Sequence, residues 1–165
     1  MFKRVLAVDP SLTCSGWAMF DVGRSELLAV GKVKAKGPEF SMSERLSELQ
    51  ERIRDLYRKA SLGRNDVLIC EAPTTMRDPR AALVVEQVRG VFETVARSLA
   101  VVVPGRINPR SVQYEVMGLR GKQMKRDEVK RVARHVASQL YGVRFAELGL
   151  PPELGGHQDI VDAVL

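Results

Sequence analysis

Short apolar runs separated by polar turns open the chain, and their spacing later changes to that of helices. Residues 3–9 carry Val5-Leu6-Ala7-Val8, a partly β-branched run that reads as a buried strand. Residues 16–21 and 27–34 read as second and third strands, with turn chemistry at 10–15 and 21–25. Links this short predict an antiparallel meander. After Gly37-Pro38, Ser41 or Ser43 can cap a helix whose apolar positions Leu46, Leu49, Ile53, Leu56 and Ala60 recur at helical spacing until Gly63 stops it. Residues 66–71 form another short apolar run, and a strand reached through a helix is expected to lie parallel to the strand it joins.

A long helix is predicted over 79–100, with Val84, Val88, Val91, Phe92, Val95 and Leu99 toward the core. Val101-Val102-Val103 reads as a further strand, and Asn108-Pro109 opens a short helix to about residue 117. A polar, basic connection over 118–125 leads to a helix at 126–141, with Val129, Val132, Val136 and Leu140 inward and Lys130, Arg131 and Arg134 largely outward. Residues 142–156 read as a loop. A last helix carries Asp159 and Asp162 on one face; with three residues after Asp162, it is expected to be cut short or completed in another way. The whole pattern predicts one α/β domain over 1–165: a mixed five-stranded sheet, three antiparallel strands then parallel ones, flanked by helices.

Composition narrows the function. A chain of 165 residues, 45% apolar and 28% charged, suits a single core, and no apolar run approaches a membrane span. The N-terminal segment, with Lys3 and Arg4, lacks the apolar core of a signal peptide, so a cytoplasmic protein without membrane attachment is expected. Cys14 and Cys70 are too few for a disulfide framework and read as reduced thiols packed in strands; His135, in a distant helical pattern, is no evident base for a thiol nucleophile. The net charge of +6 is localised: residues 102–144 hold 10 Lys and Arg against 3 acids, while the remainder holds 16 against 17. Such a stretch either binds a polyanion or forms a solvated basic face.

The candidate chemistry lies in four acids. Asp9 ends the first strand before Pro10, and it either binds something positive or caps the turn at 11–15. Glu71 repeats the pattern, closing an apolar run two residues before Pro73. Parallel strands would deliver both acids to one sheet edge. Asp159 near a helix start can complement the helix dipole, but Asp162 has no such explanation, and like charges three apart repel unless a cation lies between them. Hard oxygen ligands in an open cluster suit Mg²⁺, with Mn²⁺ as a substitute. Two such ions in one site can activate water and stabilise a leaving 3′ oxygen in phosphodiester hydrolysis.

In this order, strand-ending Asp9, strand-ending Glu71, a basic connection and Asp159-x-x-Asp162-Ala163 resemble the RuvC Holliday-junction resolvases of the RNase H-like superfamily. Val8-Asp9-Pro10-Ser11 with Ser15-Gly16-Trp17-Ala18 is similar to their opening hairpin, and Gln87-Val88-Arg89-Gly90-Val91 resembles their central helix. Val112, Val116-Met117-Gly118, Lys125 and Val129 follow their basic segment. The resemblance implies a homodimer that nicks two strands of like polarity across a four-way junction, with one two-metal site per subunit. It implies that Asp9 bridges both ions, that Glu71 and one of Asp159 and Asp162 hold one each, and that Lys125 lies near the scissile phosphate. Arg120, Lys122 and Arg126 of the basic segment are candidate DNA contacts; Arg77 and Arg80 either contact phosphates or occupy a solvated helix start. Gln113 stands where many relatives carry a further lysine, and Thr74, with Met76 nearby, where they often carry an aromatic. His157 is either an acid-base group or a turn residue.

A non-cleaving branched-DNA-binding protein on the same fold, or a nuclease for flaps or forks, remains an alternative. The sugar-kinase and actin-like ATPases also end a first strand in Asp, but they carry a glycine-rich phosphate loop and a longer, two-lobed chain, and neither is found here.

Overall fold

A computed structural model describes residues 2–73, 78–119, 124–151 and 153–165. Strands β1 (Arg4–Asp9), β2 (Ser15–Asp21) and β3 (Glu26–Val33) form the antiparallel meander; helix α1 (Met42–Lys59) then leads to β4 (Asp66–Glu71). Helix α2 (Pro79–Ser98), the short β5 (Arg106–Ile107), and helices α3 (Pro109–Glu115), α4 (Arg126–Glu147) and α5 (Gln158–Val164) follow. The sheet order is β3-β2-β1-β4-β5, with β4 parallel to β1 and β5 parallel to β4. β1 is therefore central.

Strand parity splits the core in two. Leu6, Val8, Met19, Leu68 and Cys70 face one side, packing with Leu49, Ile53 and Tyr57 of α1 and Val88, Phe92 and Val95 of α2. Ala18, Leu27 and Val30 face the other, against Ala133, Ala137 and Phe145 of α4 and Ile160, Val161 and Val164 of α5. The α1 start is fixed by a reciprocal cap: Ser41 accepts from the Glu44 N–H while the Glu44 carboxylate accepts from the Ser41 N–H. Asp78 and Asn108 cap α2 and α3, each ahead of a proline.

Several expectations are corrected. The strand predicted at 101–103 is a single bridge, Val67 to Val102; Pro104-Gly105 interrupts it, and the paired residues of β5 come after. Helix α4 continues through Gly142 to Glu147, because Phe145 buries against the sheet and outweighs the glycine's modest helix cost. On α4 the small residues Ala133 and Ala137 face inward, allowing close packing, while Leu140 is exposed. On α2, Leu99 is exposed, and Arg89 and Glu93 are buried. Cys14 lies in the β1–β2 connection rather than in a strand; Cys70 is in β4, and burial pushes its thiol up to about 12. No helix among the described residues is long and apolar enough to cross a membrane.

Candidate active site

The acids of β1 and β4 meet because the register leaves them no alternative. Val8 pairs with Cys70, so Asp9 and Glu71 stand next to each other just beyond that pair, at the ends of two parallel strands. With Val8 and Cys70 committed to the α1–α2 core, alternation aims Asp9 and Glu71 at the opposite face. There they line a cleft of about 370 Å³ together with Asp162 of α5, Gln113 of α3, and Arg126 and Lys130 of α4. A smaller hollow of about 90 Å³ adjoins the same two acids and is lined by Val85, Glu86 and Arg89 of α2.

The neighbouring acids act most strongly on Asp9. Burial, a hydrogen bond with the Glu71 carboxyl and the charges of Glu71, Asp162 and Asp159 push its carboxyl up to about 8. The neighbouring acids thus favour the protonated form of Asp9. At Asp162 the surrounding protein pushes the carboxyl upward; the hydrogen bond from Gln158 opposes this, Glu71 and Asp159 add to it, and Lys130 opposes it. Gln158 Nε2 donates to Asp162 Oδ1 at 2.7 Å.

The two aspartates of α5 separate. Asp159 turns toward β3, where Lys32 Nζ lies 3.5 Å from its Oδ2 and also donates to the Gly156 carbonyl at 2.8 Å. The Cys14 thiol, pushed up by burial and then by its hydrogen bond to Asp159, borders the same group. Helix α5 reaches this position because it crosses β2 at Gly16, where a Cβ would overlap the Asp159 carbonyl and stand 3.0 Å from the Ile160 nitrogen. Only glycine permits that approach.

No family model matches the chain. Over 116 residues it is 28% identical to the crossover junction endodeoxyribonuclease RuvC of Hyphomonas neptunium, an alignment covering 70% of this chain and 67% of that protein. It is similar to Thermus thermophilus RuvC in complex with a Holliday junction substrate, with a TM-score of 0.63 and 19% identity over 97% of this chain and 90% of that one. The Thermus thermophilus RuvC structure matches at 0.62 and 20% identity, covering 97% and 92% of the two chains. The fowlpox virus Holliday junction resolvase matches at 0.54 and 13%, covering 98% and 94%. This chain is RuvC-like in sequence and in fold.

Within the cleft, Asp9, Glu71 and Asp162 stand together, and Asp159 stands apart on Lys32. Among the described residues, no three acid, cysteine or histidine side chains are gathered tightly enough to hold an ion as they stand. The donor set still suits one: mutually repelling carboxylates, one kept protonated by its neighbours, offer hard oxygens to a divalent cation. Lys125 caps α4 from an exposed position, its N–H donating to Glu128 Oε2 at 3.1 Å, and does not line the cleft. Arg80 is exposed at the α2 start, where its N–H donates to Asp78 Oδ1. Arg77, Arg120 and Lys122, with Thr74 and Met76, fall outside the described residues. His157 precedes α5, its Nδ1 buried without a hydrogen-bond partner.

Sequence reasoning placed Lys130 outward; the structure turns it into the cleft one helical turn from Arg126. The four-residue spacing of the two cations was the available signal. It also missed Lys32, which carries no pattern beyond its strand, and Arg89, which sits between Val88 and Phe92 on the inward face.

Proposed function

We propose that this protein is a metal-dependent, structure-selective endodeoxyribonuclease that resolves four-way DNA junctions by paired symmetric nicks, acting as a homodimer on branched DNA. The observation that carries the reading is the meeting of Asp9, Glu71 and Asp162 in one cleft that Arg126 and Lys130 also line. A phosphodiester suits such a lining: carboxylates for divalent ions, cations for the polyanion. The names of the relatives, a crossover junction endodeoxyribonuclease and a RuvC bound to a Holliday junction, support the substrate class.

Asp9 and Glu71 would hold Mg²⁺, with Mn²⁺ substituting, and Asp162 would complete the set from α5. Asp159 joins them once it leaves Lys32. Two ions, when bound, supply water activation and stabilisation of the leaving 3′ oxygen. The chain's part is to gather its carboxylates where a divalent cation relieves their mutual repulsion, and to seat the phosphate against Arg126 and Lys130. Lys125 and the candidate DNA contacts Arg77, Arg80, Arg120 and Lys122 would bind phosphates of the junction arms.

Purified protein is mixed with a labelled synthetic four-way junction, with and without Mg²⁺, beside flap and fork substrates. Symmetric metal-dependent nicks that disappear in Asp9→Asn are expected. Equal cutting by that variant sinks the assigned site. Tight junction binding without nicking in any divalent metal selects the non-cleaving alternative, and preferential cutting of flaps or forks replaces the junction as substrate.

A further inference from the structure

Glu71 is held from behind by a side chain that the proposed chemistry does not use. Arg89 of α2 is 2% exposed, the largest fully buried side chain among the described residues. Its Nε donates to the Glu71 backbone carbonyl at 2.7 Å, and its Nη1 pairs with Glu86. Glu86 also pairs with Arg106 Nη1 at 3.1 Å, and Arg106 Nε reaches Glu93 at 2.8 Å. The planar fork is thereby fixed at both ends, between a strand end and a chain of ion pairs.

The location gives this arrangement a purpose beyond cohesion. Pairing of β4 with β1 reaches Cys70, and β5 supports Glu71 through a strand of two residues. The end of β4 is therefore paired on one side only, by β5 and the Ala72 N–H that donates to the Ile107 carbonyl at 2.7 Å, yet it carries an acid that faces other acids. Buried charge is a poor source of stability, since apolar replacements often serve as well. What an apolar residue cannot do is grip the Glu71 carbonyl while the carboxylates repel each other.

We propose that Arg89 is a positioning residue that fixes the end of β4, through the Glu71 carbonyl, in the geometry needed to hold a divalent ion. This rests on the reading of Glu71 as a metal-holding acid. Arg89 touches neither metal nor DNA; its influence passes through the backbone of Glu71, as with the outer partners of other metal ligands, whose loss weakens metal binding about 10- to 100-fold.

The test compares the full-length protein with Arg89→Lys, Arg89→Met and the charge-neutral pair Arg89→Met with Glu86→Gln. Calorimetric titration with Mn²⁺ alone reads metal affinity, a junction-binding assay in chelator reads DNA affinity, and circular dichroism reads folding. Metal affinity about tenfold weaker or more in every folded variant is expected, with junction affinity within about twofold of wild type. A folded variant whose Mn²⁺ affinity matches wild type overturns the assignment. So does failure of all three to fold, which would make Arg89 a residue of the fold alone. Glu71→Gln separates the two levels: if it binds Mn²⁺ as wild type does, the metal role of Glu71 falls. If it loses binding while the Arg89 variants keep it, only the role of Arg89 falls.

Discussion

Without divalent metal, stability should decline as pH rises, and Asp9 should be the main cause. In the folded protein burial and the neighbouring acids push its carboxyl up to about 8, from an ordinary value of 3.8. Below 3.8 both folded and unfolded chains hold the proton, so no penalty exists. Between 3.8 and about 8 the unfolded chain ionises freely while the folded one keeps its proton, and stability falls; above about 8 the loss levels off. At ~1.4 kcal/mol per pH unit the ceiling is about 5 to 6 kcal/mol. Water at the open cleft reduces it, leaving ~2–4 kcal/mol. Urea unfolding in chelator at intervals between pH 4 and 9 measures the curve, and Asp9→Asn serves as the reference. The wild type should lose this stability relative to Asp9→Asn across the window, and Mg²⁺ should restore it by replacing the proton on Asp9. A difference between the two proteins that is constant with pH would refute the electrostatic account of the site.

Gly16→Ala should cost about 1–3 kcal/mol through overpacking against α5, and a larger share of nicking activity, because α5 carries Asp159 and Asp162. Thermal melts alongside junction cleavage check this; unchanged cleavage would contradict the close approach. Lys130→Met should weaken junction binding and reduce the slope of log affinity against log salt by about one, read by binding assays at several ionic strengths. An unchanged slope would place Lys130 away from the phosphates. Asp66 is buried, which raises its carboxyl, but the Arg4 fork at 2.9 and 2.8 Å and the Gly63 N–H at 2.9 Å outweigh burial and leave it below its usual value. Its contribution is therefore present above the unfolded value and lost as pH falls through the folded one. Asp66→Asn should cost about 1–3 kcal/mol at neutral pH with junction affinity preserved; an unchanged denaturation midpoint would show the pair to be inert.

Local chemistry made most elements legible. The β1–β3 meander, the Ser41 cap, the proline-led starts of α2 and α3 and the parallel β4 follow from period, turn residues and capping, all short-range effects. The weaker expectations fell where distant packing outweighed local propensity. Helix α4 passes Gly142 because Phe145 finds a core beyond it, and 101–103 fails as a strand because a buried Val101 and Pro104 leave one bridge. The apolar positions of α4 suggest a face of Val129, Val132, Val136 and Leu140; the face that packs into the core is the one with Ala133 and Ala137, since small residues allow closer approach.

For the site, the sequence by itself determined which acids are available and which two share a sheet edge, because strand parity and parallel register are fixed by nearest neighbours along and between the strands. Tertiary structure alone decided how they are used. It placed Asp162 in the cleft and Asp159 on Lys32, since the roll of a seven-residue helix is set by its packing at Gly16 rather than by its own residues. It turned Lys130 inward, and it put Arg89 behind Glu71. Those contacts join residues from separate elements, and no local pattern encodes them.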